Sequence, residues 1–191
     1  MTSRRTLFSR SFWWLLLALG FLVIAVPLLA ATRTWDGGGG DNNWSTATNW
    51  SSDTVPVTTD DVVFDNTSTK NATIDGAGTW SGGTLYLNTG YTGTITQNAN
   101  TTVASSTQVA GVYTLSGNGI LPSQPTVLTV TGDMTVNGGT LNHVGSSGST
   151  EVSKLLINVG GNFSLGAGGT INLDGVGFNA SGSGRPPNNA S

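Results

Sequence analysis

The chain has 191 residues, with 28 Gly, no Cys and only 9% charged residues. Its apolar fraction of 37% is below the usual range for a soluble domain, and part of it is gathered in one N-terminal run. Three of the seven basic residues, Arg4, Arg5 and Arg10, precede that run, so the chain beyond residue 31 carries four basic and ten acidic side chains, a net charge of −6. That balance excludes a nucleic-acid binder, which needs clustered Lys and Arg. The missing Cys excludes zinc-thiolate sites, thiol catalysis and a disulfide framework.

Residues 1–31 run from a basic stretch, MTSRRTLFSR, into apolar residues 12–31, interrupted by Gly20 and Pro27 and ending in Ala30 and Ala31. Charge, then apolar run, then small residues is the order of a secretory signal peptide. The apolar run is also long enough to span a bilayer, so a retained N-terminal membrane anchor is the alternative. Both readings place the remainder outside the cytoplasm, and in both any membrane contact belongs to residues 12–31.

Beyond residue 31 no stretch keeps a helical apolar period. Short alternations of Val, Ile, Leu, Thr and Tyr recur instead, cut by Gly and Asn. They predict strands at 61–65, 72–75, 84–87, 93–97, 112–115, 126–131, 133–136, 140–143, 154–159, 162–165 and 170–173. Thr, Val and Ile suit a pleated surface, and Gly-Gly, Asn-Gly and Gly-Asn pairs suit tight corners. The fold class is all-β.

Residues 128–143, LTVTGDMTVNGGTLNH, repeat as 157–173, INVGGNFSLGAGGTINL. Leu128, Val130, Met134 and Val136 align with Ile157, Val159, Phe163 and Leu165. One inserted residue later, Leu141 and His143 align with Ile171 and Leu173. A fainter copy, SGGTLYL, lies at 81–87. Such a period marks a stacked array. With short strands and no helix, the natural array is a parallel β-solenoid whose core is lined by these aligned apolar residues. A β-sandwich is the competing fold. Stacked positions tolerate Asn, Thr, Ser and Gly better than like charges, which agrees with the low charge content.

The most distinctive stretch is 34–66, TWDGGGGDNNWSTATNWSSDTVPVTTDDVVFDN. Its Trp35-Asp36-Gly37-Gly38 entry, Trp44, Asn49-Trp50, Val55-Pro56 and Asp60-Asp61-Val62-Val63-Phe64 resemble the opening of bacterial autotransporter-like, β-helical surface proteins. The later Gly-Gly-Thr strand repeats resemble the same group. The resemblance implies a right-handed parallel β-helix displayed on, or released from, a bacterial surface. It divides the exported part into a Trp/Gly-rich N-terminal cap at 32–66, β-solenoid repeats at 67–175 and a Gly/Pro/Asn-rich tail at 176–191. No translocator barrel or sorting motif is recognisable, and the closing GSGRPPNNAS reads as the start of a linker in a longer protein.

Trp35, Trp44 and Trp50 are expected to cover an end of the stack, where a strand edge and an apolar cross-section would otherwise invite association. The rival role is a platform for sugar rings. Asp36, Asp41, Asn42 and Asn43 offer hard oxygens on a Gly-rich loop and are candidate Ca²⁺ ligands, although no Asp-x-Asp-x-Asp-Gly loop is present. Asp60, Asp61 and Asp65 form the tightest acidic group and suit strand entry and turn capping. Arg33, Lys70, Lys154 and Arg185 are scattered, and Glu151 is the single Glu. His143, the single His, occupies an inward or strand-end place in the repeat alignment. Neither a paired-carboxylate hydrolase nor a Ser-His-Asp set is supported, and no cofactor is called for. The sequence therefore points to a non-enzymatic structural or adhesive module, exported to the extracellular space or a bacterial surface. Its expected partners are a host, matrix or cell-envelope surface, with polysaccharide among them and nucleic acid excluded. The alternative is a carbohydrate-binding or carbohydrate-active, pectate-lyase-like β-helix.

Overall fold

The computed structural model describes residues 30–76, 80, 83–108, 110–116, 125–145 and 154–174. The expected signal or anchor segment, apart from its last two residues, and the tail at 176–191 lie outside them. The described residues are nearly all β, with two short 3-10 turns at Ala47–Asn49 and Ser51–Asp53. Fourteen short strands follow one another: β1 (Thr32–Thr34), β2 (Asp61–Phe64), β3 (Ala72–Ile74), β4 (Thr84–Leu87), β5 (Thr94–Gln97), β6 (Thr101–Val103) and β7 (Ser105–Gln108), then β8 (Val112–Leu115), β9 (Leu128–Val130), β10 (Met134–Val136), β11 (Thr140–His143), β12 (Ile157–Val159), β13 (Phe163–Leu165) and β14 (Thr170–Asn172).

Eleven of the fourteen coincide with predicted strands to within a few residues. The sequence reading missed β1, β6 and β7. The last two lie in TTVASSTQ, whose inward positions are partly Thr, Ser and Gln, so apolar alternation gives no signal there.

The strands form three sheets, ordered β1-β2-β4-β7-β10-β13, β14-β11-β8-β5-β3 and β12-β9-β6. Every named pair is parallel. From β5 onward the chain visits the five-, three- and six-stranded sheets in strict rotation. Partners lie between 18 residues (Thr94↔Val112) and 30 residues (Thr140↔Thr170) apart. The β-sandwich alternative does not fit, because its sheets are antiparallel. The register matches the sequence repeat: Leu128 faces Ile157, Met134 faces Phe163, and Leu141 faces Ile171.

Alternation within each strand divides core from surface. In β2, β4 and β8 every second residue is buried, and the inward columns run Val62, Leu85, Ser106, Met134, Phe163 and Ala72, Ile95, Tyr113, Leu141, Ile171. The turn before β11 needs glycine. Gly139 has φ +72°, and a Cβ there would lie 2.4 Å from the carbonyl oxygen of Gly111, just before the neighbouring strand β8.

One group of expected core residues is not buried. Leu128, Val130, Met134, Val136 and Leu141 are at most 1% exposed, whereas Phe163, Leu165, Ile171 and Leu173 are 38–51% exposed. Ile157 and Val159 are half-buried. The cause is position: among the described residues β12, β13 and β14 are the last strands of their sheets, with a neighbour on one side only. Leu141→Ala should therefore cost about 2–5 kcal/mol, and Leu165→Ala under about 1 kcal/mol, as read by urea unfolding of each variant. An equal cost at both positions would mean that Leu165 is covered in solution.

Candidate functional site

The end of the stack at β1–β3 is built by residues 32–53. β1 pairs with the outer edge of β2. Residues 42–44 do the same for β3: Asn43 bridges Thr73, Thr73 N–H donates to Asn42 O, and Trp44 N–H donates to Thr73 O. Between them the chain doubles back, so that Trp35 and Trp50 form an antiparallel bridge and their rings meet edge to face at 5.0 Å. Trp44 lies 4.5 Å from Trp50 and 5.6 Å from Trp80, centroid to centroid. All three of Trp35, Trp44 and Trp50 pack on Phe64 of β2. Each is at most 2% exposed. The sugar-platform role expected as one option for these residues is thus corrected: their faces are occupied by one another, leaving no ring surface for a pyranose.

Polar groups tie this end down. Lys70 Nζ donates to the carbonyl oxygens of Gly37 and Gly39 and to Asn49 Oδ1, at 2.6–3.2 Å. Its three ammonium hydrogens are matched by three acceptors. Asn49, fully buried, donates through Nδ2 to Asp41 Oδ1 and to the carbonyls of Asp41 and Asn43. Among the candidate Ca²⁺ ligands, Asp41 and Asn43 are joined by a side-chain hydrogen bond, and the Asp36 and Asp41 carboxylates are engaged with donors of the loop. Asp36 Oδ1 accepts from Gly38 N–H, whereas Asp41 accepts from Asn43, Thr46 and Asn49. The backbone N–H of Asn43, followed by the Thr46 hydroxyl, holds the Asp41 carboxyl below its ordinary pKa. Among the described residues no group of three or more His, Cys, Asp or Glu is placed to hold a metal.

The acidic triplet separates by role. Asp61 Oδ1 accepts from Thr84 N–H across the sheet, and Asp65 Oδ1 accepts from Thr67 N–H in a turn. Asp60 is only 2% exposed; it accepts from Ala31 N–H, Val57 N–H and Arg33 Nε, each at 3.1 Å. Burial opposes its ionisation, but the N–H donors from Val57 and Ala31 and the Arg33 guanidinium prevail and hold its pKa below the ordinary value. The Arg33–Asp60 pair was not foreseen, because 27 residues separate the two and nothing local links them.

Elsewhere the described polar side chains serve the fold. Gln97 Nε2 donates to the carbonyls of Ala99 and Val127, and its Oε1 accepts from Tyr113 O–H. Burial drives the hydroxyl pKa of Tyr113, and that of Tyr91, upward. His143 is half-buried at the end of β11, in register with Leu115, and its Nδ1 meets the carbonyl of Val144 at 2.8 Å. Glu151 and Arg185 lie outside the described residues.

Among the described residues two further surfaces stand out, the first of them partly exposed, with Asn142 Oδ1 buried. The outer face of the five-stranded sheet carries two in-register rows: Thr73, Thr96, Thr114, Asn142, Asn172 and Thr94, Val112, Thr140, Thr170. Neither row contains a charged residue. At the far end, Leu141, Leu155, Ile157, Val159, Phe163 and Ile171 line an apolar cavity of about 300 Å³. No known protein family, curated protein or solved structure matches the chain.

Two outcomes test the sealed end. Trp50 Nε1 donates to Trp44 O at 2.7 Å, whereas the buried Nε1 of Trp44 has no partner. Trp50→Phe should therefore destabilise by about 1–3 kcal/mol more than Trp44→Phe, since it alone breaks a buried hydrogen bond; chemical denaturation of the pair measures the difference. Asp60 gives a pH signature. Its lowered folded pKa adds stability that is present above the unfolded value near 4 and is lost as pH falls through the folded value. The stability gap between wild type and Asp60→Asn should accordingly be wide at pH 7 and shrink below about pH 4.

Proposed function

We propose that the chain is an exported structural or adhesive β-solenoid without catalytic activity, acting at a bacterial surface or in the extracellular space. The observation that carries this reading is the strict rotation of the chain among three parallel sheets, which is the connectivity a solenoid requires. Parallel strands joined by crossovers are right-handed almost without exception, which supports the right-handed β-helix implied by the sequence resemblance. Residues 1–31 support export, and the Trp-rich opening supports membership of the autotransporter-like group.

The non-catalytic reading rests on how the titratable groups are used. Asp60 faces Arg33, Lys70 faces carbonyls, and Asp75 accepts from Ser45. These are structural engagements, in which the charge serves the fold. The contact face is the outer side of the five-stranded sheet, where hydroxyl and amide groups repeat about every 4.8 Å along the stack. Such a face suits a partner that itself repeats neutral polar groups, as a polysaccharide does, so the carbohydrate-binding alternative would act through these same rows and not through Trp.

The test is adsorption of the purified protein to insoluble cellulose and to intact bacterial cells. Replacing Thr96 and Thr114 together by Lys sets two like charges at neighbouring outward positions. This variant should keep the wild-type circular dichroism spectrum and lose at least about tenfold in retention, roughly the effect of 1.4 kcal/mol. Unchanged retention would remove this face from the adhesive role. Wild-type protein that binds neither material would argue for an inert spacer.

A further inference from the structure

The contacts just before β1 bear on where the chain would be cut if it is exported. The sequence ends its apolar run with two alanines, and either can supply the small residue a signal-processing peptidase requires on the acyl side of the cut. Sequence alone gives no reason to prefer Ala30 over Ala31. The contacts of the two residues differ sharply. Ala30 is exposed. Ala31 is half-buried, its N–H donates to Asp60 Oδ1 at 3.1 Å, and its carbonyl accepts from Asp61 N–H at 2.8 Å. Among the described residues it is the first held by the sheet, one position before β1 pairs with β2.

We propose that the chain is processed between Ala30 and Ala31, and that the new α-ammonium of Ala31 is seated on the buried carboxylate of Asp60. The inference rests on the export reading above and adds to it the position of the cut and the role of Asp60. Chemically the step is hydrolysis. Water adds across the Ala30–Ala31 amide, its hydroxyl goes to the Ala30 carbonyl carbon to leave a carboxylate, and the Ala31 nitrogen becomes an ammonium. The catalyst is a membrane-bound endopeptidase that accepts a small residue before the cut.

The geometry favours this bond over its neighbours. A cut after Ala31 would remove both the donor to Asp60 Oδ1 and the acceptor for Asp61 N–H. A cut before Ala30 would leave the backbone N–H of Ala31 neutral and carry the new charge away from Asp60. A cut between the two alanines keeps both bonds and turns one of them into a charge-assisted bond, the stronger kind. The two carboxylate oxygens then divide their partners: Oδ1 takes Ala31, while Oδ2 takes Arg33 and Val57. Half-burial of Ala31 leaves the remaining ammonium hydrogens access to water, so desolvation is partial.

The experiment expresses the full chain in a secreting bacterial host and separates cytoplasm, membranes and exported fraction. Intact mass and N-terminal sequencing of the exported protein should give Ala31-Thr32-Arg33 as the start. Exported protein beginning at Ala30, Thr32 or elsewhere overturns this inference and leaves the export reading intact, as does an uncut chain retained in the membrane. A full-length chain confined to the cytoplasm overturns both.

The seat itself is read by ¹³C-dimethylating the exported protein's N-terminus, which preserves its charge, and following its NMR shift with pH. The charged groups facing it are Asp60, Arg33 and Asp61. The α-amine should titrate above the ordinary value near 8, and above its own value in urea. An equal or lower pKa in the folded protein overturns the seat on Asp60.

Discussion

Parallel strands held in register set each side chain about 4.8 Å from its counterpart in the neighbouring strand, and the remaining features of this protein follow from that repetition. A residue type that is costly beside itself cannot recur at one position. Charged side chains directly opposite one another repel, and the outward rows of the five-stranded sheet are accordingly Thr, Asn and Val. Inside, apolar groups stack on apolar groups without penalty. At the corners the backbones of successive circuits approach too closely for a Cβ: one placed on Gly139 would strike the carbonyls of Gly111 and Ala110. The Gly content and the scarcity of charge are thus two consequences of one spacing.

Away from the Trp-rich end, the described interior departs from the apolar rule around β5–β7, where Gln97, Thr101 and Gln108 bond to backbone carbonyls. Thr101, Gln97, Ser106 and Gln108 are all at most 4% exposed. Gln97 and Gln108 each spend their amide N–H groups on two carbonyls, one of them from a neighbouring circuit. A buried carbonyl without a donor costs about 1–3 kcal/mol, so a glutamine that serves two of them compensates for its own burial. Hydropathy carries no trace of this arrangement, and for that reason periodicity does not mark β6 and β7, although β7 is paired on both sides, with β4 and β10, and β6 is paired with β9.

What was legible in the sequence was whatever repeats. Residues 128–143 and 157–173 predicted the pairing of β9 with β12, β10 with β13 and β11 with β14, because a parallel in-register array brings equal residues together at a fixed offset. What was illegible depends on single long-range contacts. The Arg33–Asp60 pair and the Lys70 clip occur once each, so no repetition announces them, whereas the covering role of Trp35, Trp44 and Trp50 was legible from their spacing at the start of the array. Burial of the repeat residues was legible only as a facing direction. Phe163 and Leu165 point inward as Met134 and Val136 do, yet remain 45% and 48% exposed for want of a neighbour on the outer side.

The two ends of the stack therefore solve the same problem unequally. A terminal circuit of parallel strands exposes unpaired N–H and C=O groups along its edge and an apolar cross-section within it, both of which favour association. At β1–β3 the edge is met by residues 32–34 and 42–44, the cross-section by three indoles, and the loop between them by the Lys70 ammonium. At β12–β14 no comparable closure exists among the described residues, and a cavity of about 300 Å³ opens among apolar side chains. The charged groups that could serve chemistry in another fold are concentrated where the first end is closed. Asp60 shows why. A buried carboxylate that already receives three donors is stabilised as the anion and has little remaining capacity to act as a proton-transfer group, so its charge is committed to closing this end.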